Sequence, residues 1–327
     1  MNSADDAIRV SVVVPTCRRP DLLERCLAAL VAQTLDAREY EIIVCDDGPG
    51  DDARQAAQAA AREAGPDIRY LPVTATQGPA GARNAGWRAA RAPVVAFTDD
   101  DTVPDPRWLE AGLRAMAPGV DAAAGKIVMP LPPRPTDYER DAARLQDAEF
   151  ATANVFVRAA ALQALGGFDE RYELAWREDS DLHFALLESG ATIVAARQAV
   201  VVHPLRPARF AAGIGMQKKI VYDTLLYKKY PCLYRQRIRP GPPWFYLVVV
   251  LALVVGSVAM LGEWFRLGWA ALAVWLALTA VFFARRIAGT ALTLRNVAEV
   301  LVTSLVIPPA SIFWRIVGML RFRQGFP

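Results

Sequence analysis

VVAFTDDDTVP, Val94 to Pro104, sets a short apolar run directly before three consecutive acids. The run reads as a buried strand, Val94 to Thr98, with the acids as the loop at its carboxyl end. Alternate side chains of an extended chain share a face, so Asp99 and Asp101 converge while Asp100 points elsewhere. Two convergent carboxylates suit a hard, oxygen-seeking cation, Mn2+ or Mg2+, whose shell is completed by phosphate oxygens of a diphosphate-bearing substrate. A run of Asp is also common turn or helix-cap chemistry, and it is the place after an apolar strand that favours the metal reading.

The flanking sequence repeats this strand-then-polar-turn pattern. Val10 to Pro15 forms a strand ending at Thr16, and Pro20 opens a helix whose positions Leu22, Leu23, Cys26, Leu27, Leu30 and Val31 follow helical spacing. Glu41 to Cys45 is a second strand, ending in Asp46 and Asp47, with a helix expected over Ala56 to Ala64. A third strand, Ile68 to Pro72, leads into the loop TQGPAGARNAG and a helix near Trp87. Strands alternating with helices predict an α/β domain with a mostly parallel sheet, whose ligands collect beyond the carboxyl ends of the strands. The two acidic clusters therefore face one crevice.

Further on, Glu178, Asp179 and Asp181 open a helix that runs through Leu182, Ala185, Leu186 and Leu187 to Gly190. Acids there complement the helix dipole, and alternatively one of them serves as a general base. His203 follows the strand Ala199 to Val202 and can reach the crevice as a metal or phosphate contact, whereas His183, one turn into the helix, reads as structural.

The C-terminal third is a different kind of object. Residues 1 to 210 carry 23 Lys/Arg against 31 Asp/Glu, and residues 211 to 327 carry 14 against 3. Trp244 to Leu261 and Leu267 to Ala284 contain no charge, and each meets the ~18-residue length of a spanning helix. Gly262 to Arg266 is too short for a domain, so the two form a hairpin. Lys218, Lys219, Lys228, Lys229, Arg235, Arg237 and Arg239 precede it and Arg285 and Arg286 follow it, which places both outer ends in the cytoplasm.

Val297 to Met319 is apolar but interrupted by Glu299, Pro308, Pro309 and Arg315, and reads as interfacial or re-entrant. The chain thus divides into a catalytic domain over 1–210, a basic juxtamembrane segment over 211–243, the hairpin over 244–284 and an interfacial segment with a basic tail over 285–327. The acidic start MNSADDAIRV shows no leader. Cys17, Cys26, Cys45 and Cys232 lack paired spacing and read as reduced thiols. With 54% hydrophobic and 22% charged residues, the composition excludes a disordered chain, a collagen-like fibre or a disulfide scaffold.

The succession SVVVPTCRRPDLLERCLAAL, EIIVCDDGPGD, GPAGARNAGWRAA, VVAFTDDDTVPDPRWL, ATANVFVRAAALQALGGFDERY and WREDSDLHFALLESG resembles the family 2 glycosyltransferases over roughly residues 9 to 205. The resemblance implies the nucleotide-sugar-binding A-type fold and inverting transfer. It also implies that Pro15, Thr16, Asp46 and Asp47 hold the nucleoside and that Arg83 lies on the base or phosphate side. Asp99 and Asp101 fall on the metal motif, with Asp100 between them on the donor side and His203 as a further metal or diphosphate contact. Glu178 and Asp179 fall on the ED motif, Asp179 being the expected base. Asn154 and Arg158 lie in the stretch that faces the acceptor in the family, and Trp176 adjoins the expected base, where it can stack on an acceptor sugar; Asn154 and Arg158 are equally readable as turn or surface residues, and Trp176, Trp87 and Trp108 as core or rim aromatics.

Two departures narrow the reading. DDGP replaces the family's DDGS, and no QxxRW motif of processive synthases is present. The expected protein is a metal-dependent transferase using a nucleotide sugar, UDP-linked above others, at a bacterial-type inner (plasma) membrane, with its catalytic domain cytoplasmic. A lipid or lipid-linked acceptor is expected and a nucleic acid is not. The alternatives are a soluble or polysaccharide acceptor with the hairpin only as anchor, and a non-catalytic membrane adaptor. A nucleotidyltransferase would need a Gly-rich basic phosphate loop near the N-terminus, and none is seen.

Overall fold

The computed structural model describes residues 8–61, 65–76 and 78–325. The acidic start of the chain, where no leader was read, and the last residues of the helix expected over Ala56 to Ala64 fall outside the described residues. The chain divides into two units, one of Met1–Pro130 with Arg144–Leu205, the other of Leu131–Ala143 with Arg206–Pro327.

The first unit alternates strand and helix as the sequence predicts: β1 (Val10–Thr16), α1 (Pro20–Val31), β2 (Tyr40–Asp46), α2 (Asp51–Ala60), β3 (Asp67–Pro72), α3 (Pro79–Ala89), β4 (Val94–Phe97), β5 (Val103–Pro104), α4 (Trp108–Ala115) and β6 (Ala122–Val128). After α5 (Asp137–Ala142), which belongs to the other unit, come β7 (Val155–Arg158), α6 (Ala159–Leu165), α7 (Glu178–Glu188) and β8 (Ile193–Val202). Eight strands form one sheet in the order β3-β2-β1-β4-β7-β6-β8-β5. β3, β2, β1 and β4 are parallel, as are β6 and β8, while β7 and β5 pair antiparallel with their neighbours. The sheet is mixed and mostly parallel, and Val10, Val12, Val13 and Val14 of β1 are fully buried, as a central strand covered on both faces requires.

Two helices start earlier than the sequence suggested. α2 begins at Asp51, because Asp51 and Asp52 favour the positive end of the helix dipole. α3 begins at Pro79, so most of the glycine-rich loop is helical. Proline suits a first turn, and Gly78 just before it takes φ 100, a conformation open to glycine.

α4 packs on β7 with no side chain between them at Gly112. A Cβ there would lie 2.0 Å from Phe156 Cζ. Gly112→Ala is expected to destabilise this unit by ~1–3 kcal/mol, the cost of overpacking, read as a lower midpoint in chemical denaturation.

The second unit contains α5, α8 (Ala212–Met216), α9 (Val221–Lys229), α10 (Pro231–Arg237), α11 (Trp244–Leu261), α12 (Phe265–Ile287) and α13 (Leu294–Phe322). α11, α12 and α13 are long and apolar enough to cross a membrane. α11 and α12 form the expected hairpin, close-packed at Gly256 and Gly268, where an added Cβ would lie 2.8 Å from Leu272 and 2.6 Å from Met260. The segment read as interfacial or re-entrant is one unbroken helix, α13, that runs through Pro308 and Pro309.

Candidate active site

The parallel register of the sheet assembles the site. Thr16 lies opposite Asp46 and Val13 opposite Phe97, so the polar ends of β1, β2 and β4 emerge side by side.

At the first acidic turn the two aspartates do different work. Asp46 organises its own loop, accepting from the amides of Gly48 (3.1 Å) and Gly50 (3.2 Å) and from the Tyr70 hydroxyl (2.9 Å). Pro49, which has no N–H, sits between the two amides that are used. Asp47 accepts from the Gly78 amide at 2.8 Å through Oδ2, while its Oδ1 is buried without a partner. Burial pushes the Asp47 carboxyl up. A buried carboxylate oxygen left unpaired is costly, so Asp47 is poised for a donor group of a ligand.

The second acidic turn splits as extended-chain alternation requires. Asp100 accepts from the Thr16 hydroxyl at 2.8 Å and from Arg19 at 3.2 Å, tying β1 to β4, and burial pushes its carboxyl up to about 6. Asp99, Asp101 and His203 each offer a ligand atom within 4.8 Å of the other two. β8 delivers His203, whose amide donates to the Val128 carbonyl at 2.8 Å and whose Nε2 lies 3.4 Å from Asp101 Oδ1. Two carboxylates and an imidazole fit a divalent cation with coordination positions left for substrate oxygens.

Arg83 on α3 joins this cluster to the next. Its Nη2 donates to Asp99 at 2.7 Å and its Nη1 to Glu178 at 3.1 Å. Burial opposes its charge, but Asp99 and Glu178 outweigh that and hold its pKa up. Arg83 thus bridges two acids through its terminal nitrogens, while its Nε is buried without a partner.

Glu178 and Asp179 open α7 behind Arg177, which adopts φ 75, a strained left-handed conformation for a residue with a side chain. Burial, then the neighbouring Asp179, pushes Glu178 up. Burial likewise raises Asp179, whose Oδ1 accepts from the Ser180 amide at 2.6 Å. Asp181 accepts from the Tyr172 hydroxyl at 3.0 Å and is buried, a structural role. Of the three acids, Asp179 combines partial exposure with a raised pKa and no ion pair to Arg83.

Trp176 stands at the rim, 37% exposed, with the Arg177 guanidinium 4.6 Å over its ring. Asn154 is a correction. Only 1% exposed, it donates to the carbonyls of Lys126 (3.0 Å) and Ala199 (2.8 Å) and accepts from Trp108 Nε1 (2.8 Å). Its amide is used up inside the sheet and does not face an acceptor.

Arg19, Tyr70 and Gly78 escaped the sequence reading. Arg19 carried a signal, lying three residues after Thr16; Tyr70 and Gly78 act through pairings between distant segments.

Comparison with known proteins follows the same outline. The profile of Glycosyl transferase family 2 matches residues 11–158, and that of Glycosyl transferase family group 2 matches residues 94–284. The chain is 28% identical over 238 residues to "Glycosyltransferase AglE" of Haloferax volcanii, covering 67% of this chain and 77% of that protein. It is 36% identical over 93 residues to the "GalNAc(5)-diNAcBac-PP-undecaprenol beta-1,3-glucosyltransferase" of Campylobacter jejuni, covering 28% of this chain and 29% of that one. Among solved structures it is similar to the mannosyltransferase PcManGT from Pyrobaculum calidifontis in complex with GDP-Man and Mn2+, at 20% identity and TM-score 0.56, covering 96% of this chain and 86% of the other.

Proposed function

The chain belongs to glycosyltransferase family 2 and has its A-type fold, and from that premise we propose that it transfers a sugar, with inversion, from a nucleoside diphosphate sugar to a lipid or lipid-linked acceptor at the cytoplasmic leaflet. The observation that carries this reading is the continuous line of side chains from His203 and Asp101 through Asp99 and Arg83 to Glu178, beside Asp179.

Asp47 offers Oδ1 to an N–H or O–H of the nucleoside, UDP above others, in the turn framed by Pro15, Thr16 and Asp46. Asp99, Asp101 and His203 would hold Mn2+ or Mg2+. When bound, the ion supplies Lewis-acid stabilisation of the charge that develops on the leaving diphosphate. Asp179 takes the proton of the acceptor hydroxyl as its oxygen attacks the anomeric carbon. The bond to the nucleotide breaks on the opposite face and its electron pair leaves with the diphosphate, which inverts the centre. Arg83 pairs with Glu178 and balances its charge, so that Asp179 is the carboxylate at the head of α7 left outside that ion pair. Trp176 offers a ring on which an acceptor sugar stacks.

The acceptor assignment is supported by the three apolar helices and by a similar protein whose name specifies an undecaprenol diphosphate-linked acceptor. The competing reading keeps the chemistry and makes the helices an anchor alone. With the full chain in phospholipid vesicles, a polyprenyl diphosphate-linked sugar is expected to accept label from a nucleotide sugar at least ~10-fold faster than the same sugar free in solution, which is ~1.4 kcal/mol. Equal rates favour the anchor reading.

A further inference from the structure

By length and composition α13 qualifies as a third crossing of the membrane. We propose instead that α13 lies in the plane of the leaflet, on the side where the hairpin has its base, with its uncovered apolar face among the acyl chains of a phospholipid leaflet carrying anionic headgroups. The proposal rests on the hairpin α11–α12 crossing the bilayer and is independent of the catalytic assignment.

Both ends of α13 are fastened to segments outside the hairpin, two of them, α9 and the stretch around Ala211, preceding its base in the chain. The base of the hairpin is marked by Tyr246 and Phe282, whose ring centroids are 5.5 Å apart, and by Arg286 beside them. Near the start of α13, the Asp137 amide donates to Asn296 at 3.2 Å, and the Asp137 carboxylate accepts from Arg286. Glu299 accepts from the Ala211 amide at 3.1 Å. At the far end, Lys228 donates to the Phe322 carbonyl at 2.9 Å, Arg315 donates to Asp223 at 3.3 Å, and Gly318 lets α9 approach so closely that a Cβ would lie 2.6 Å from Thr224 Oγ1.

A helix of 29 residues is about 43 Å long, more than the ~30 Å of a hydrocarbon core. Were it upright, its far end would carry Lys228 and Lys229 to the opposite leaflet. Arg235, Arg237 and Arg239 would then have to climb back through the core to reach Trp244, against the strong preference of such side chains for water. Lying flat, α13 keeps all of them at the surface. The contact of Arg286 with Ser304, at 3.1 Å and ten residues into α13, agrees with the base of the hairpin meeting the middle of the helix.

The faces of α13 fit the same orientation. Val302, Val306, Phe313, Ile316 and Leu320 follow helical spacing and are 37% to 75% exposed, whereas Asn296, Thr303, Ser304, Ser311 and Arg315 are buried on the covered side. That is the reverse of a helix facing water, and exposed Arg295, Arg321 and Arg323 flank the apolar stripe, where they meet anionic headgroups.

The test uses the full chain with Cys17 and Cys232 changed to Ser, in vesicles of phosphatidylcholine and phosphatidylglycerol. Spin labels on Val302→Cys, Val306→Cys, Phe313→Cys and Leu320→Cys should all report similar, shallow immersion, ~5–10 Å below the headgroups. An impermeant thiol reagent should reach Gln324→Cys from the same side as Asp52→Cys in the catalytic unit, and Glu263→Cys in the hairpin turn from the other. Immersion that peaks near Pro309, with Gln324→Cys on the side of Glu263→Cys, overturns the proposal. If Glu263→Cys is reached from the side of Asp52→Cys, the hairpin premise fails and the proposal falls with it.

Discussion

Asp179→Asn is expected to lower kcat at least ~10²-fold, or ~2.7 kcal/mol of transition-state stabilisation, with donor affinity nearly unchanged. The amide keeps the shape of the carboxylate and its contact with the Ser180 amide but cannot take a proton. The raised pKa of Asp179 gives the effect a pH signature. A base works only when ionised, so wild-type turnover should fall as pH drops through that raised value, and this acid limb should be missing from the variant. Steady-state rates at saturating donor across pH measure both. Near-normal turnover would move the role to Glu178, although its ion pair with Arg83 at 3.1 Å leaves it less able to act.

Asp101→Ala is expected to abolish the metal dependence of donor binding. Asp101 is 2% exposed and stands beside His203 and Asp99, so its removal leaves one imidazole and one carboxylate, the latter already shared with Arg83. A ligand at ~100 times its dissociation constant stabilises the native state by ~2.7 kcal/mol. In thermal-shift measurements with a nucleotide sugar, wild type should show a stabilisation that appears with Mn2+ and vanishes with chelator. The variant should show none with either. Equal shifts in the two proteins would remove Asp101 from the ion site.

The parts of this site that were legible in the sequence are those set by local geometry. Asp99 and Asp101 converge and Asp100 diverges because an extended backbone alternates its side chains, and the structure adds only that Asp100 is received by Thr16 and Arg19. Glu178 and Asp179 were legible because acids cluster at a helix start. What pairings across the chain decide was not legible. Arg83 bridges residues 16 and 95 positions away. Asn154 shows the limit most plainly, because its neighbours Lys126 and Ala199 become neighbours only when β6, β7 and β8 assemble. The insertion of antiparallel β7 beside β4 was equally hidden, since one strand's apolar pattern does not state its direction. In the apolar C-terminal region, hydropathy set the existence of the helices; the fastening of α13 at both ends depends on single polar contacts that hydropathy averages away.

The thirteen residues Leu131–Ala143 leave the sheet, join the helices, and return. There Thr136 and Glu139 cap α5 reciprocally, and Asp137 receives Arg286. The catalytic half and the helical half are therefore sewn together by two seams, one at Arg206 and one in the middle of the catalytic sequence. A gene fusion that exchanges only the C-terminal portion between relatives would cut one seam and leave the other stitched to a partner it does not match, with Arg286 deprived of its acid. Inheritance of the helical half as a movable cassette thus requires three crossovers rather than one, two around Leu131–Ala143 and one before Arg206, and chimaeras meant to transplant it should carry both pieces.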